Sequence, residues 1–130
     1  MRRPLSRLSD RELDIMDALW ERGWSTVADV HQALRNRGHD LAYTTVQTML
    51  NRLQVKGQLV RNASSKTHRY RPVLKKRAAT TAAVRRLTDR FFQGSAEALV
   101  THLVARNLDE KELDRLEAFI DTHRHGGGKS

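Results

Sequence analysis

Thr44, Thr45, Gln47, Thr48, Asn51 and Arg52 crowd the polar face of one helix-periodic stretch, Leu41 to Gly57. They are short hydroxyls and amides with a single long cation, not the Glu/Lys mixture that keeps an ordinary helix in water. Such groups can hydrogen-bond base edges and backbone phosphates. Val46, Met49, Leu50 and Leu53 recur on the opposite face at the spacing of a buried stripe. A second set follows in a stretch of alternating pattern: Arg61, Lys66, Arg69 and Arg71. Long cations in that setting suit phosphate contacts, which give affinity and salt dependence rather than sequence choice. The chemistry on offer is therefore recognition of a nucleic acid. An amphipathic helix with a merely solvated polar face would show the same period, so the rest of the chain has to decide.

Catalysis finds no support. The acids from Asp10 to Glu21 lie on a capped amphipathic helix, and no Ser/His/Asp grouping, phosphate loop or metal-ligand spacing occurs. The six histidines are scattered, and His68 reads as a packing residue of the alternating segment. The expectation is a protein that is not an enzyme, with no catalytic residues, no bound metal and no cofactor.

The 130 residues allow one domain, or a small domain with a helical appendage. Apolar content is 38% and formal net charge is +9, from 24 Lys+Arg against 15 Asp+Glu. That balance favours an anionic partner. The sign is also unevenly placed. From Leu41 to Thr88 there is no Asp or Glu, while Arg52, Lys56, Arg61, Lys66, Arg69, Arg71, Lys75, Lys76, Arg77, Arg85 and Arg86 fall in that span. The lack of cysteine excludes disulfides and thiolate metal sites and fits a reducing cytosol. No apolar run approaches the ~20 residues of a membrane span, and the basic start MRRPLSRLSDRE has no apolar segment behind it. A cytoplasmic protein without membrane insertion is expected.

The elements that must hold these residues can be read in order. Residues 1–7 form a loose arm whose Arg2, Arg3 and Arg7 are within reach of phosphates. Ser9 and Glu12 make a capping box, with Leu8 and Leu13 as a hydrophobic staple; Leu13, Met16, Leu19 and Trp20 line the buried side to Gly23. Thr26 and Asp29 start a second helix carrying Val27, Val30 and Leu34, stopped at Gly38. Asp40 is the best cap for the third, polar-faced helix. Beyond Gly57, residues 58–61 and 67–71 read as strands around a polar turn, with His68 and Tyr70 on one side of the second and Thr67, Arg69 and Arg71 on the other. Three helices and a basic hairpin are the order of a winged helix-turn-helix, in which the third helix enters the major groove.

Three further helices follow: residues 75–92, one capped by Ser95, and one capped by Asp109 with Glu112. About 50 residues of helix hold little core of their own. Leu87, Phe91, Leu99, Leu103, Leu113, Leu116, Phe119 and Ile120 are the apolar positions expected to meet a second copy, because symmetric dimers match palindromic half-sites. The alternative is a helical subdomain folded back on the first.

LAYTTVQTMLNRLQVKG followed by HRYRP closely resembles the penicillinase-repressor family of bacterial transcription regulators. LSDRELDIMDALW resembles the family's first helix, and FFQGSAEALVTHLV and LDEKELDRLEAFID its dimerisation region, so the likeness runs over roughly residues 5–122. What the resemblance implies is a homodimer that binds a palindromic operator and blocks transcription, with DNA contacts at Thr44, Thr45, Gln47, Thr48 and Arg52 and, in the wing, Arg69. Well-known members are inactivated by a regulatory protease at an Asn-Phe pair; the matching position here is Thr101-His102, a departure that bears on recognition by the same protease and leaves derepression by a regulatory protease or another inducer open. The copper-responsive branch needs cysteines that this chain lacks.

The combined expectation is a mainly α fold with a small β-hairpin wing: a winged helix-turn-helix over residues 1–73, a helical dimerisation domain over 74–124 and a flexible tail over 125–130. Its function is expected to be sequence-specific repression on double-stranded operator DNA. The alternative is a winged helix used for nonspecific DNA binding or protein contact.

Overall fold

Ser9 starts the first helix, α1 (Asp10–Arg22), through the expected capping box: Glu12 N–H donates to Ser9 Oγ (3.1 Å) and Ser9 N–H to Glu12 Oε1 (2.9 Å). The computed structural model describes residues 8–127; the expected basic arm at 1–7 lies outside the described residues, as do 128–130. The same device at Thr26 and Asp29 opens α2 (Val27–Asn36). The third helix, α3 (Tyr43–Val55), departs from expectation at its start. Its N-cap is Ala42 with no side-chain hydrogen bond, and Asp40 stands two residues upstream and exposed.

Gly57, at φ 88°, turns the chain from α3 into the hairpin. Three short strands make one antiparallel sheet in the order β1-β3-β2: β1 (Ser25–Thr26), β2 (Leu59–Asn62) and β3 (Arg69–Pro72). The hairpin strands each sit one or two residues later than the alternation placed them. β1 was not expected, because two residues carry no period. It pairs Ser25 with Tyr70 and Thr26 with Arg69, so the wing is hydrogen-bonded to the chain between α1 and α2.

One core joins these elements. Ile15, Met16 and Leu19 of α1, Val27, Val30 and Leu34 of α2, Val46, Met49, Leu50 and Leu53 of α3, Leu59 and Tyr70 form a single buried cluster. The stripe on α1 differs from the expected one. Leu13 is 39% exposed, whereas Ile15 and Ala18 are fully buried. Glu12 is the reason: it is 5% exposed and occupies the first position of the buried row 12, 15, 16, 19, which its charge disguises. Leu8 and Trp20 are half-buried against the cluster. Trp20 also donates its indole N–H to the Leu74 carbonyl at 2.9 Å, which fastens the segment after the wing to α1.

The remaining helices are α4 (Lys76–Phe91), α5 (Ala96–Arg106) and α6 (Glu110–Thr122). Ser95 caps α5 and Asp109 with Glu112 caps α6, as expected. A π-helical turn, His123–Gly127, continues α6 into what was expected to be tail, so residues 125–127 are helical. The chain divides into two compact units, residues 1–83 and 84–130. That division falls inside α4. Among the described residues of the second unit the only buried one is Thr88.

Candidate nucleic-acid interface

The site is built outward from α3. Val46, Leu50 and Leu53 are fully buried and Met49 nearly so, which fixes the helix about its own axis. The opposite face is then obliged to look outward. Thr44, Gln47, Thr48, Asn51 and Arg52 are exposed and Thr45 is half-buried. Within the described residues, Thr44, Thr45, Gln47, Thr48 and Arg52 make no side-chain hydrogen bond or ion pair. Five side chains of one helix face with their donors and acceptors unspent are what groove readout requires. Val55, 81% exposed, ends the same face with an apolar group.

Orientation is fixed electrostatically as well. Lys56, the C-cap of α3, donates from Nζ to both carboxylate oxygens of Glu12 at 2.9 and 3.1 Å. Burial pushes the Glu12 carboxyl up, but hydrogen bonds from Ser9 and the Lys56 ammonium outweigh it and hold it below its ordinary value. The pair thus pins the end of α3 to the start of α1. At the other end His31 Nε2 lies 2.8 Å from the Leu41 carbonyl, and its ring meets Tyr43 edge-on at 5.7 Å.

The wing cations divide into two groups. Arg61, Lys66 and Arg69 are exposed, and Arg61 and Lys66 are without partners among the described residues. Arg69 lies near enough to Asp29 to lower that carboxyl, behind the larger effect of the Thr26 N–H bond to it. Arg71 is committed elsewhere: its guanidinium stacks 5.1 Å above the Trp24 ring and donates to the Pro72 carbonyl. His68 is exposed in the turn before β3, not packed as expected; alternation does not reach that far back from the strand. Asn51 differs from its neighbours on α3, since its Oδ1 accepts a 2.7 Å hydrogen bond from the Tyr70 hydroxyl.

One residue was missed by sequence reasoning. An open groove runs along α3 between its polar face and the start of α1, lined by Ser9, Arg11, Thr44, Thr45, Thr48, Met49 and Arg52. Arg11 is exposed on its far wall and has no partner among the described residues. It sits in the acidic first turn of α1, flanked by Asp10 and Glu12. A cation there opposes the helix dipole, but the capping box around it masks that signal in the sequence.

Among the described residues no group of His, Asp or Glu is arranged to hold a metal ion, and no helix is long and apolar enough to cross a membrane. Of the expected dimerisation positions, Leu87, Phe91, Leu103, Phe119 and Ile120 are exposed by 42, 71, 39, 65 and 46%, and Leu99, Leu113 and Leu116 are half-buried.

Three helices on one core, a polar-faced third helix and a basic hairpin hydrogen-bonded beside it define a winged-helix DNA-binding module. Residues 8–122 match the family model described as penicillinase repressor. The chain therefore belongs to the penicillinase repressor family, whose members are DNA-binding transcriptional repressors rather than enzymes. It is 40% identical over 126 residues to the transcriptional regulator BlaI of Mycobacterium tuberculosis, covering 95% of this chain and 90% of that one. To the penicillinase repressor of Bacillus licheniformis it is 23% identical over 122 residues, covering 93% and 94%. The solution structure of the DNA-binding domain of the repressor BlaI superposes with a TM-score of 0.51 at 28% identity, over 58% of this chain and 90% of that one.

Proposed function

We propose that the protein is a cytoplasmic homodimeric repressor that reads a palindromic operator with α3. Thr44, Thr45, Gln47, Thr48 and Arg52 face base edges and flanking phosphates. Arg61, Lys66 and Arg69 hold the adjoining backbone, and Arg71 stiffens the wing through Trp24. The observation that carries this reading is that Thr44, Thr45, Gln47, Thr48 and Arg52 on the polar face of α3 are unspent, opposite a buried face. The apolar side chains of α4, α5 and α6 supply the second-copy contact, because none of the eight expected there is buried within one chain.

Binding to duplex from the protein's own promoter region, set against scrambled duplex at fixed salt, tests it. The specific duplex should win by at least ~10³-fold, and Gln47→Ala should alter that preference. Equal affinity for both duplexes would leave only nonspecific DNA binding.

A further inference from the structure

Tyr70 is 2% exposed, yet its hydroxyl reaches the outward face of α3 and meets Asn51 there at 2.7 Å. The contact joins a strand of the wing to the recognition helix, and its polarity can be assigned from hydrogen-bond supply. The phenol has one proton to give, and no second partner for it exists among the described residues. If the Asn51 amide donated instead, that proton would have no acceptor at an inward position. The 2.7 Å contact runs from the hydroxyl to Asn51 Oδ1. The phenol therefore donates, the amide oxygen turns inward to receive it, and the two amide N–H groups turn outward. A free asparagine rotates about its last torsion and offers either end; this one is held.

We propose that Tyr70 is a positioning residue that makes Asn51 a donor-presenting contact, so that Asn51 favours guanine or thymine over adenine, whose N7 acceptor stands beside an N6 donor that only the amide oxygen could receive. Guanine O6 and N7 or thymine O4 fit such a donor; the two-bond pairing of an amide with adenine also needs the amide oxygen, which Tyr70 holds inward. The proposal rests on the reading of α3 as the groove-reading helix and adds to it one operator position per half-site.

The test starts from a duplex pool randomised over the half-site, selected by the full-length protein, followed by competition with every single base-pair change in the selected duplex. Tyr70→Phe removes one oxygen and leaves the ring in the core. It should lower the preference at one position about fivefold or more, with the salt dependence unchanged. Asn51→Asp keeps an acceptor for the phenol but has no N–H, lies on the surface, and should lose the same preference. The double variant Tyr70→Phe with Asn51→Ala should be no worse at that position than Asn51→Ala alone. The proposal is overturned if Tyr70→Phe keeps every wild-type preference, or if it weakens all duplexes by one common factor. Wild-type protein that selects no motif at all would sink the sequence-specific reading and this proposal with it, an outcome distinct from the other two.

Discussion

At the scale of single residues, what sets the interface apart is which side chains are left unpaired. Gln47 and Thr48 are bare, Arg71 is stacked on Trp24, and Asn51 is half-spent on Tyr70. Arg11 is a free cation at a place where helix stability would prefer an acid. Arg11→Ala should therefore raise thermal stability slightly, by about 0.5 kcal/mol, while weakening DNA binding and lowering the slope of log K against log salt by about 1. Calorimetry and a salt titration of binding check the two halves; an unchanged slope places Arg11 off the DNA. The polar face of α3 was legible because its residue types are unusual for a solvated helix. Arg11 and the Tyr70–Asn51 contact were not. The first was hidden inside a capping box, and the second joins positions 19 apart that meet only once the hairpin has folded back.

At the scale of elements, the start and end signals decided what could be read. The capping boxes at Ser9, Thr26 and Asp109 are complete within four residues, so the helices they open were legible. The start of α3 has no side-chain cap and was misplaced at Asp40. β1 exists only through its pairing with β3, which is not local. The orientation of α3 depends on Glu12 and Lys56, whose Nζ reaches both carboxylate oxygens. Lys56→Ala should cost about 2 kcal/mol, below the ~3–5 of a fully buried pair because the Lys56 side chain keeps 33% of its surface in water. The sign of the pH effect follows from the lowered Glu12 pKa. Stability from Glu12 is present above its ordinary value of 4.5 and lost as pH falls through the lowered one. Removing Lys56 raises that folded-state value, so the acid limb of the stability curve should move to higher pH. Denaturant melts across pH 3–6 read both effects, and a curve that drops uniformly without moving would show that the pair is not coupled to Glu12 ionisation.

At the scale of the whole molecule, two units carry two tasks: residues 1–83 hold a complete core, and the described part of 84–130 buries almost nothing by itself. A unit with Phe91 71% and Phe119 65% exposed leaves an apolar face that a second copy would cover in the proposed dimer. The apolar pattern made these faces legible in sequence. The long-range bond of Trp20 to the Leu74 carbonyl was not, because it joins positions far apart in the chain. In the proposed dimer two copies of α3 would be related by a twofold axis, and the operator would carry the same symmetry. The most direct measurement is therefore selection of binding sites from random duplex by the full-length protein at fixed salt. The account predicts an inverted repeat whose half-sites lie about one helical turn, ~10 bp, or a whole multiple of it apart. A recovered site without inverted symmetry, or no enrichment over the starting pool, would contradict it.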